Sequence, residues 1–150
     1  GHYVIMLSTD GNERPGDIKK IVERLNEGYD MVIATRFGKG QSQDVTVIRN
    51  FGNNFLTGLC NLITGYKLSD CQNGFRGIKR EHFIAMNIQA NRFDIENEMV
   101  VKAGKMKLKV TEVPTIENKR EYGQSRLNTF KDGYIILKRI LKEAFNKPPY

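Results

Sequence analysis

Tryptophan is absent from this 150-residue sequence, and cysteine and histidine occur only twice each. Cys60 and Cys71 have no metal-ligand spacing and no matching histidine pattern. That excludes a zinc-finger reading and a disulfide framework, and two thiols in a cysteine-poor chain point to a reducing compartment. His2 and His82 have no partners in the sequence and are expected at the surface. No apolar run comes near the roughly 20 residues that a helix needs to span a bilayer. The opening residues do not read as a secretory signal, and repeats and low-complexity tracts are lacking as well. What remains is an ordinary globular composition, 39% hydrophobic and 27% charged, long enough for one domain with a core.

Acidic charge is scarce in one region. Residues 101–150 hold twelve Lys and Arg against five Asp and Glu, so the last third carries the whole net charge of +7. Such a region suits an anionic partner: phosphate groups, an acidic membrane surface or nucleic acid. A solvated basic face is the alternative. Nucleic acid is disfavoured, because few aromatics are interleaved and no recognised motif occurs.

The elements alternate as in an α/β domain. Tyr3-Val4-Ile5-Met6-Leu7 reads as a buried strand. It runs into the turn Ser8 to Pro15, at the carboxyl edge of a sheet, where open α/β sheets bind ligands. Asp10 and Asn12 there offer oxygen ligands to a hard divalent cation; an ordinary β-turn uses the same residue types. A helix follows on Ile18, Ile21, Val22 and Leu25, then a second buried strand over residues 30–35, ending at Arg36. Strand, helix and strand with short joints predict a parallel βαβ unit, which puts Arg36 and Asp10 at one sheet edge.

Residues 38–46 read as a loop, and a helix is predicted over 47–63 with the apolar stripe Phe51, Phe55, Leu59, Leu62 and Ile63. Its first turns carry Arg49, Asn50, Asn53 and Asn54, where polar side chains and unpaired N–H groups suit an anion, and Gly65 stops it. Residues 70–77 form a glycine-punctuated turn into a short strand through Ile78, and helices are predicted over 81–86 and 94–104. Residues 108–113 alternate as a strand ended by Pro114. After a charged loop over 118–125, a helix over 127–145 sets Leu127, Phe130, Tyr134, Leu137 and Leu141 on one face and Lys131, Lys138, Arg139 and Lys142 on much of the rest. That basic amphipathic helix fits an anionic membrane surface, and it fits packing against the sheet as well. The Met and Phe positions are expected in the core.

Six segments stand in order: Asp10-Gly11-Asn12; Asp30 to Arg36-Phe37; Arg49 through Asn53 to Thr57; Ser69-Asp70 to Gly74-Phe75-Arg76; Glu112-Val113-Pro114; and Arg120 through Gly123, Ser125, Arg126 and Leu127 to Asp132-Gly133. The series resembles family 2 inverting glycosyltransferases of the dolichyl-phosphate mannose synthase or polyprenyl-phosphate glycosyltransferase type. The resemblance covers nearly the whole chain. It implies a partial GT-A fold, a mainly parallel sheet flanked by helices, with the N-terminal nucleotide-binding strands missing. Residues 1–150 would then be a single domain, the C-terminal acceptor-side portion of a catalytic domain. Two positions depart from the family pattern. Ser8 stands where the first of two metal-binding aspartates is usual, and Arg126 where a lysine is more usual.

The activity so implied moves a sugar from a nucleotide-diphosphate donor to a polyprenyl or dolichyl phosphate, with inversion, at the cytoplasmic face of a membrane. Mg²⁺ or Mn²⁺ held by Asp10 and Asn12 would neutralise charge on the leaving diphosphate. The acceptor phosphate, with a second pKa near about 6, is already ionised and needs no general base. It needs fixed cations, which arginine supplies. By resemblance Arg36, Arg49 and Asn53 cradle that phosphate together with Ser125 and Arg126, and Arg120 lies in a loop that closes over donor and acceptor. For each arginine a surface ion pair is the alternative. The catalytic residues expected are Asp10, Arg120 and Asp70, the last as a base were the acceptor a sugar hydroxyl, or otherwise as the cap of the turn before Gly74. Glu96 and Glu98 are expected to face solvent or to orient Arg76. The isolated chain is expected to be inactive and to self-associate through an open sheet edge. The alternative function is a non-catalytic module that binds lipid phosphate or an anionic membrane.

Overall fold

A computed structural model of the chain describes residues 1–7, 13–36, 41–42, 47–117 and 128–147. In chain order the elements are β1 (Tyr3–Met6), a 3-10 turn (Pro15–Asp17), α1 (Ile18–Asn26), β2 (Met31–Thr35), β3 (Gln41–Ser42) and α2 (Val47–Thr64). There follow β4 (Arg76–Lys79), α3 (Arg80–Ala85), α4 (Ile95–Lys105), β5 (Val110–Pro114), β6 (Ile116–Glu117) and α5 (Thr129–Phe145). The main sheet has four strands in the order β1-β4-β2-β5. β4 runs antiparallel to both β1 and β2, while β2 and β5 pair in parallel. Three strands thus point one way, and the sheet is mixed. The expected βαβ unit holds in direction only, because β4 lies between β1 and β2. The short β3 and β6 pair in parallel as a separate ribbon.

β2 is the centre because all five of its residues are buried. Its side chains alternate between faces. Val32 and Ala34 meet Ile21 and Leu25 of α1, with Phe75 and Val113, on one side. Met31 and Ile33 meet the layer formed by α2, α4 and α5 on the other. Gly77 lets α1 sit close on β4, since a Cβ there would lie 2.4 Å from Ile21 Cγ2 and 2.8 Å from Ile5 Cδ1. Gly65, at φ 76°, ends α2 in a conformation that costs other residues a steric penalty. β1, expected to be buried, is half-buried throughout, because it forms the edge of the sheet.

The helical stripes are the main correction. On α2 the buried side chains are Leu56, Thr57 and Cys60, while Phe51 and Leu62 are 77% and 82% exposed and Ile48 and Phe55 are exposed as well. On α5, Ile136 and Ile140 face the core, whereas Phe130 is 80% exposed and Tyr134, Leu141 and Phe145 also point outward. Both helices are apolar on more than one face, so periodicity finds a stripe without telling which stripe is packed.

Buried ion pairs join the helices of that layer. Arg139 of α5 donates from Nε to Asp94 Oδ2 at 2.8 Å, and its Nη1 lies 3.4 Å from Glu143 and 3.8 Å from Glu98. Glu98 does not face solvent as expected: it pairs with Lys102 and accepts from the Gln89 and Ala90 backbone N–H groups at 2.8 and 2.6 Å. His82 is not an isolated surface residue either. It is half-buried with Nε2 3.4 Å from Asp30 Oδ1, because α3 follows β4 directly and returns past the start of β2.

Candidate functional site

β1 and β2 run the same way, so both leave the sheet at one edge, where Thr35 and Arg36 end the central strand. At that edge Arg36 meets Asp70. Its Nε donates to Asp70 Oδ2 at 2.7 Å, its Nη2 to Oδ1 at 3.1 Å, and its backbone N–H to Oδ2 at 3.2 Å. The pair is bidentate, the strong geometry for guanidinium and carboxylate, and Asp70 is fully buried. Asp70 Oδ1 also accepts the Gln72 N–H at 3.2 Å, so the residue does cap its turn.

The turn Ser69–Gly74 is held from every side. From β5, the Glu112 carboxylate accepts the backbone N–H of Ser69 and of Asp70, each at 2.9 Å, and the Ser69 hydroxyl at 2.9 Å. From β2, the Thr35 hydroxyl meets Ser69 Oγ at 2.7 Å, and Ala34 O accepts from Asn73 Nδ2 at 2.7 Å. From α2, Thr57 Oγ1 accepts the Cys71 N–H at 3.3 Å. From α4, Asn97 and Gln72 exchange amide hydrogen bonds of 2.7 and 3.0 Å.

Arg76 closes the turn from beneath. Fully buried, it donates to the carbonyls of Asn73, of Cys71 at 3.1 Å and of Glu96 at 3.0 Å. Burial pulls its pKa below the ordinary arginine value. Burial likewise raises the Glu96 carboxyl, with the Arg76 charge opposing. The Cys60 thiol is pushed well up by its hydrogen bond to Cys71 and by burial, so it stays a thiol.

Of the sequence-predicted site residues, the fold brings Arg36 and Asp70 into direct contact. Arg49 and Asn53, both half-buried, stand four residues apart on α2 and share a face with Thr57. Thr57 touches the Cys71 amide, so this face of α2 looks toward the turn that carries Asp70. Asp10, Asn12, Arg120, Ser125 and Arg126 lie outside the described residues. Among the described residues no group of three or more His, Cys, Asp or Glu could hold a metal ion. The expected cation pair, Asp10 and Asn12, therefore has no described geometry. Glu112 entered the sequence reading without a role; a lone carboxylate within the strand-forming run Val110–Pro114 was its signal.

Residues 1–86 match the family model described as glycosyl transferase family 2. The chain belongs to that family. It is 34% identical over 148 residues to the glycosyltransferase AglJ of Haloferax volcanii, covering 98% of this chain and 49% of the relative. It is 26% identical over 147 residues to the UDP-N-acetylglucosamine–dolichyl-phosphate N-acetylglucosaminyltransferase of Methanococcus voltae, covering 95% of this chain and 59% of the relative. The chain thus spans roughly half the length of these relatives. Its fold matches glucosyl-3-phosphoglycerate synthase of Mycobacterium tuberculosis, solved with Mn²⁺, uridine-diphosphate-glucose and phosphoglyceric acid. That match has a TM-score of 0.67 at 14% identity and covers 96% of this chain and 50% of the other. The fold of this family 2 member is therefore GT-A-like, a mixed four-stranded sheet between helical layers.

Proposed function

We propose that this chain is the acceptor-side portion of a glycosyltransferase that moves a sugar from a nucleotide diphosphate to a polyprenyl or dolichyl phosphate, with inversion. The observation that carries the reading is the bidentate Arg36–Asp70 pair at the sheet edge, with Arg49 and Asn53 two turns and one turn before Thr57, which touches the turn that carries Asp70. A phosphate monoester is a nucleophile that needs no base, only cations that stay charged. Asp70 then orients the Arg36 guanidinium rather than removing a proton, since both of its oxygens already accept hydrogen bonds. The name of the Methanococcus voltae relative, a dolichyl-phosphate transferase, supports the acceptor class. Asp10 and Asn12 would hold the divalent cation, Mg²⁺ or Mn²⁺, which supplies charge neutralisation to the leaving diphosphate. Arg120, Ser125 and Arg126 would complete the acceptor side.

The same reading places the protein at the cytoplasmic face of a membrane. The outward apolar side chains of α5 line a shallow groove of about 360 Å³ formed by Tyr134, Leu137, Lys138, Leu141, Lys142 and Phe145. Aromatic and aliphatic groups beside lysines match the interface of an anionic bilayer, and α2 turns Ile48, Phe51 and Phe55 outward as well. Among the described residues no helix is long and apolar enough to cross a membrane. Because β1 is an edge strand, self-association through it is also proposed, to be read by sedimentation across concentration.

The deciding experiment is a calorimetric titration of the chain with farnesyl monophosphate, and a transfer assay with UDP- and GDP-sugars. Binding weakened at least tenfold by Arg36→Ala and by Arg49→Ala, with little turnover by residues 1–150 alone, is the expected result. Unchanged binding in either variant would refute the acceptor reading. Turnover matching a full-length relative would refute the assignment to an acceptor-side portion.

A further inference from the structure

Glu112 makes more hydrogen bonds to the Ser69–Asp70 turn than any other side chain at this edge. It sits on β5 opposite Ile33 of β2. Its Oε1 accepts from Ser69 N and Asp70 N at 2.9 Å each, and its Oε2 from Ser69 N at 3.0 Å and Ser69 Oγ at 2.9 Å. Two consecutive backbone N–H groups converging on one carboxylate fix the orientation of the peptide between them. The next group along the chain is the Asp70 carboxylate, which grips Arg36 in two places.

We propose that Glu112 is a positioning residue: by pinning the Ser69–Asp70 peptide it sets the angle at which Asp70 presents the Arg36 guanidinium to the acceptor phosphate. This rests on the acceptor reading given above. Directional hydrogen bonds weaken steeply once the donor angle is lost, and small misplacements of an orienting group weaken function far more than they weaken the fold. Without Glu112 the two amides would lose their partner, and the turn would rotate toward another acceptor or water. The role asks for acceptor geometry and not for charge. A glutamine can put its carbonyl oxygen in the place of Oε1 and keep the Ser69 and Asp70 backbone bonds there, giving up only the second bond from Ser69 N, at 3.0 Å to Oε2. Its amide nitrogen can then donate to Ser69 Oγ, whose own hydrogen turns to Thr35 Oγ1 at 2.7 Å.

The test titrates farnesyl monophosphate, and inorganic phosphate in parallel, into the wild-type chain, Glu112→Ala, Glu112→Gln, Arg36→Ala and the Glu112→Ala/Arg36→Ala double variant. Glu112→Ala should weaken both ligands about tenfold, which corresponds to 1.4 kcal/mol. Glu112→Gln should stay within about threefold of wild type, and the double variant should bind no worse than Arg36→Ala alone. Should Glu112→Ala not fold, Glu112→Asp carries the same expectation, because it keeps the charge and withdraws the carboxylate by one methylene. Wild-type affinity in Glu112→Ala or Glu112→Asp, while Arg36→Ala is weakened, overturns the positioning role. So does equal weakening in Glu112→Gln, or losses that add in the double variant, or a loss confined to farnesyl monophosphate. Wild-type affinity in Arg36→Ala instead overturns the acceptor reading and the role of Glu112 with it.

Discussion

Replacing Arg76 with lysine tests whether the turn that carries Asp70 is held from below by a buried guanidinium. Arg76 is fully buried and reaches three backbone carbonyls, those of Cys71, Asn73 and Glu96. These lie around a planar fork, and lysine offers donors from a single nitrogen atom. An ammonium at the place of Nη2, which serves both the Cys71 and the Asn73 carbonyls, keeps those two and leaves the Glu96 carbonyl without a donor. Such a loss costs about 1–3 kcal/mol when the group stays buried, so Arg76→Lys should destabilise by about 1–3 kcal/mol. With a urea slope of about 2 kcal/mol per molar, the midpoint should fall by about 0.5–1.5 M. Equilibrium urea unfolding followed by far-UV circular dichroism reads this directly. A midpoint within about 0.3 M of wild type would refute the reasoning, because the Glu96 carbonyl would then be satisfied by something else.

Three further outcomes follow from the same geometry. Gly77→Ala should cost about 1–3 kcal/mol by overpacking, since its Cβ would sit 2.4 Å from the Ile21 methyl group; an unchanged thermal midpoint would contradict that. At Asp30, burial works to raise the carboxyl pKa, but the Lys79 and Lys109 hydrogen bonds outweigh it and hold the value below the ordinary one. Stability from Asp30 is therefore present above the ordinary carboxylate pKa of about 4 and lost as pH falls through the lower folded value. Asp30→Asn should flatten that acid limb, and an unaltered acid profile would count against it. Finally, Phe130→Ser with Phe145→Ser should reduce flotation with anionic vesicles about tenfold and leave the urea midpoint unchanged, because both rings are exposed; equal flotation would remove α5 from the membrane reading.

Much of the molecule was legible in one dimension. Period-2 and period-3.6 patterns placed β2, α1, α4 and α5 within a few residues, because those patterns follow from local backbone geometry. The ordered series from Asp30 to Arg36, Ser69 to Arg76 and Glu112 to Pro114 pointed to the family, and the turn cap that Asp70 makes is the alternative the sequence offered beside a catalytic role. Strand order was a different matter. Nothing local says that β4 inserts between β1 and β2, because pairing joins residues far apart in the chain. The outward stripes of α2 and α5, the burial of Glu98 against Lys102 and Arg139, and the contact of His82 with Asp30 were hidden for the same reason. Residue types and spacing determined the family and which charged and polar groups this chain carries. Only the tertiary structure decided which groups meet, and so made a clamp of Arg36, Asp70 and Glu112, because a hydrogen bond depends on position in space and not on distance along the sequence.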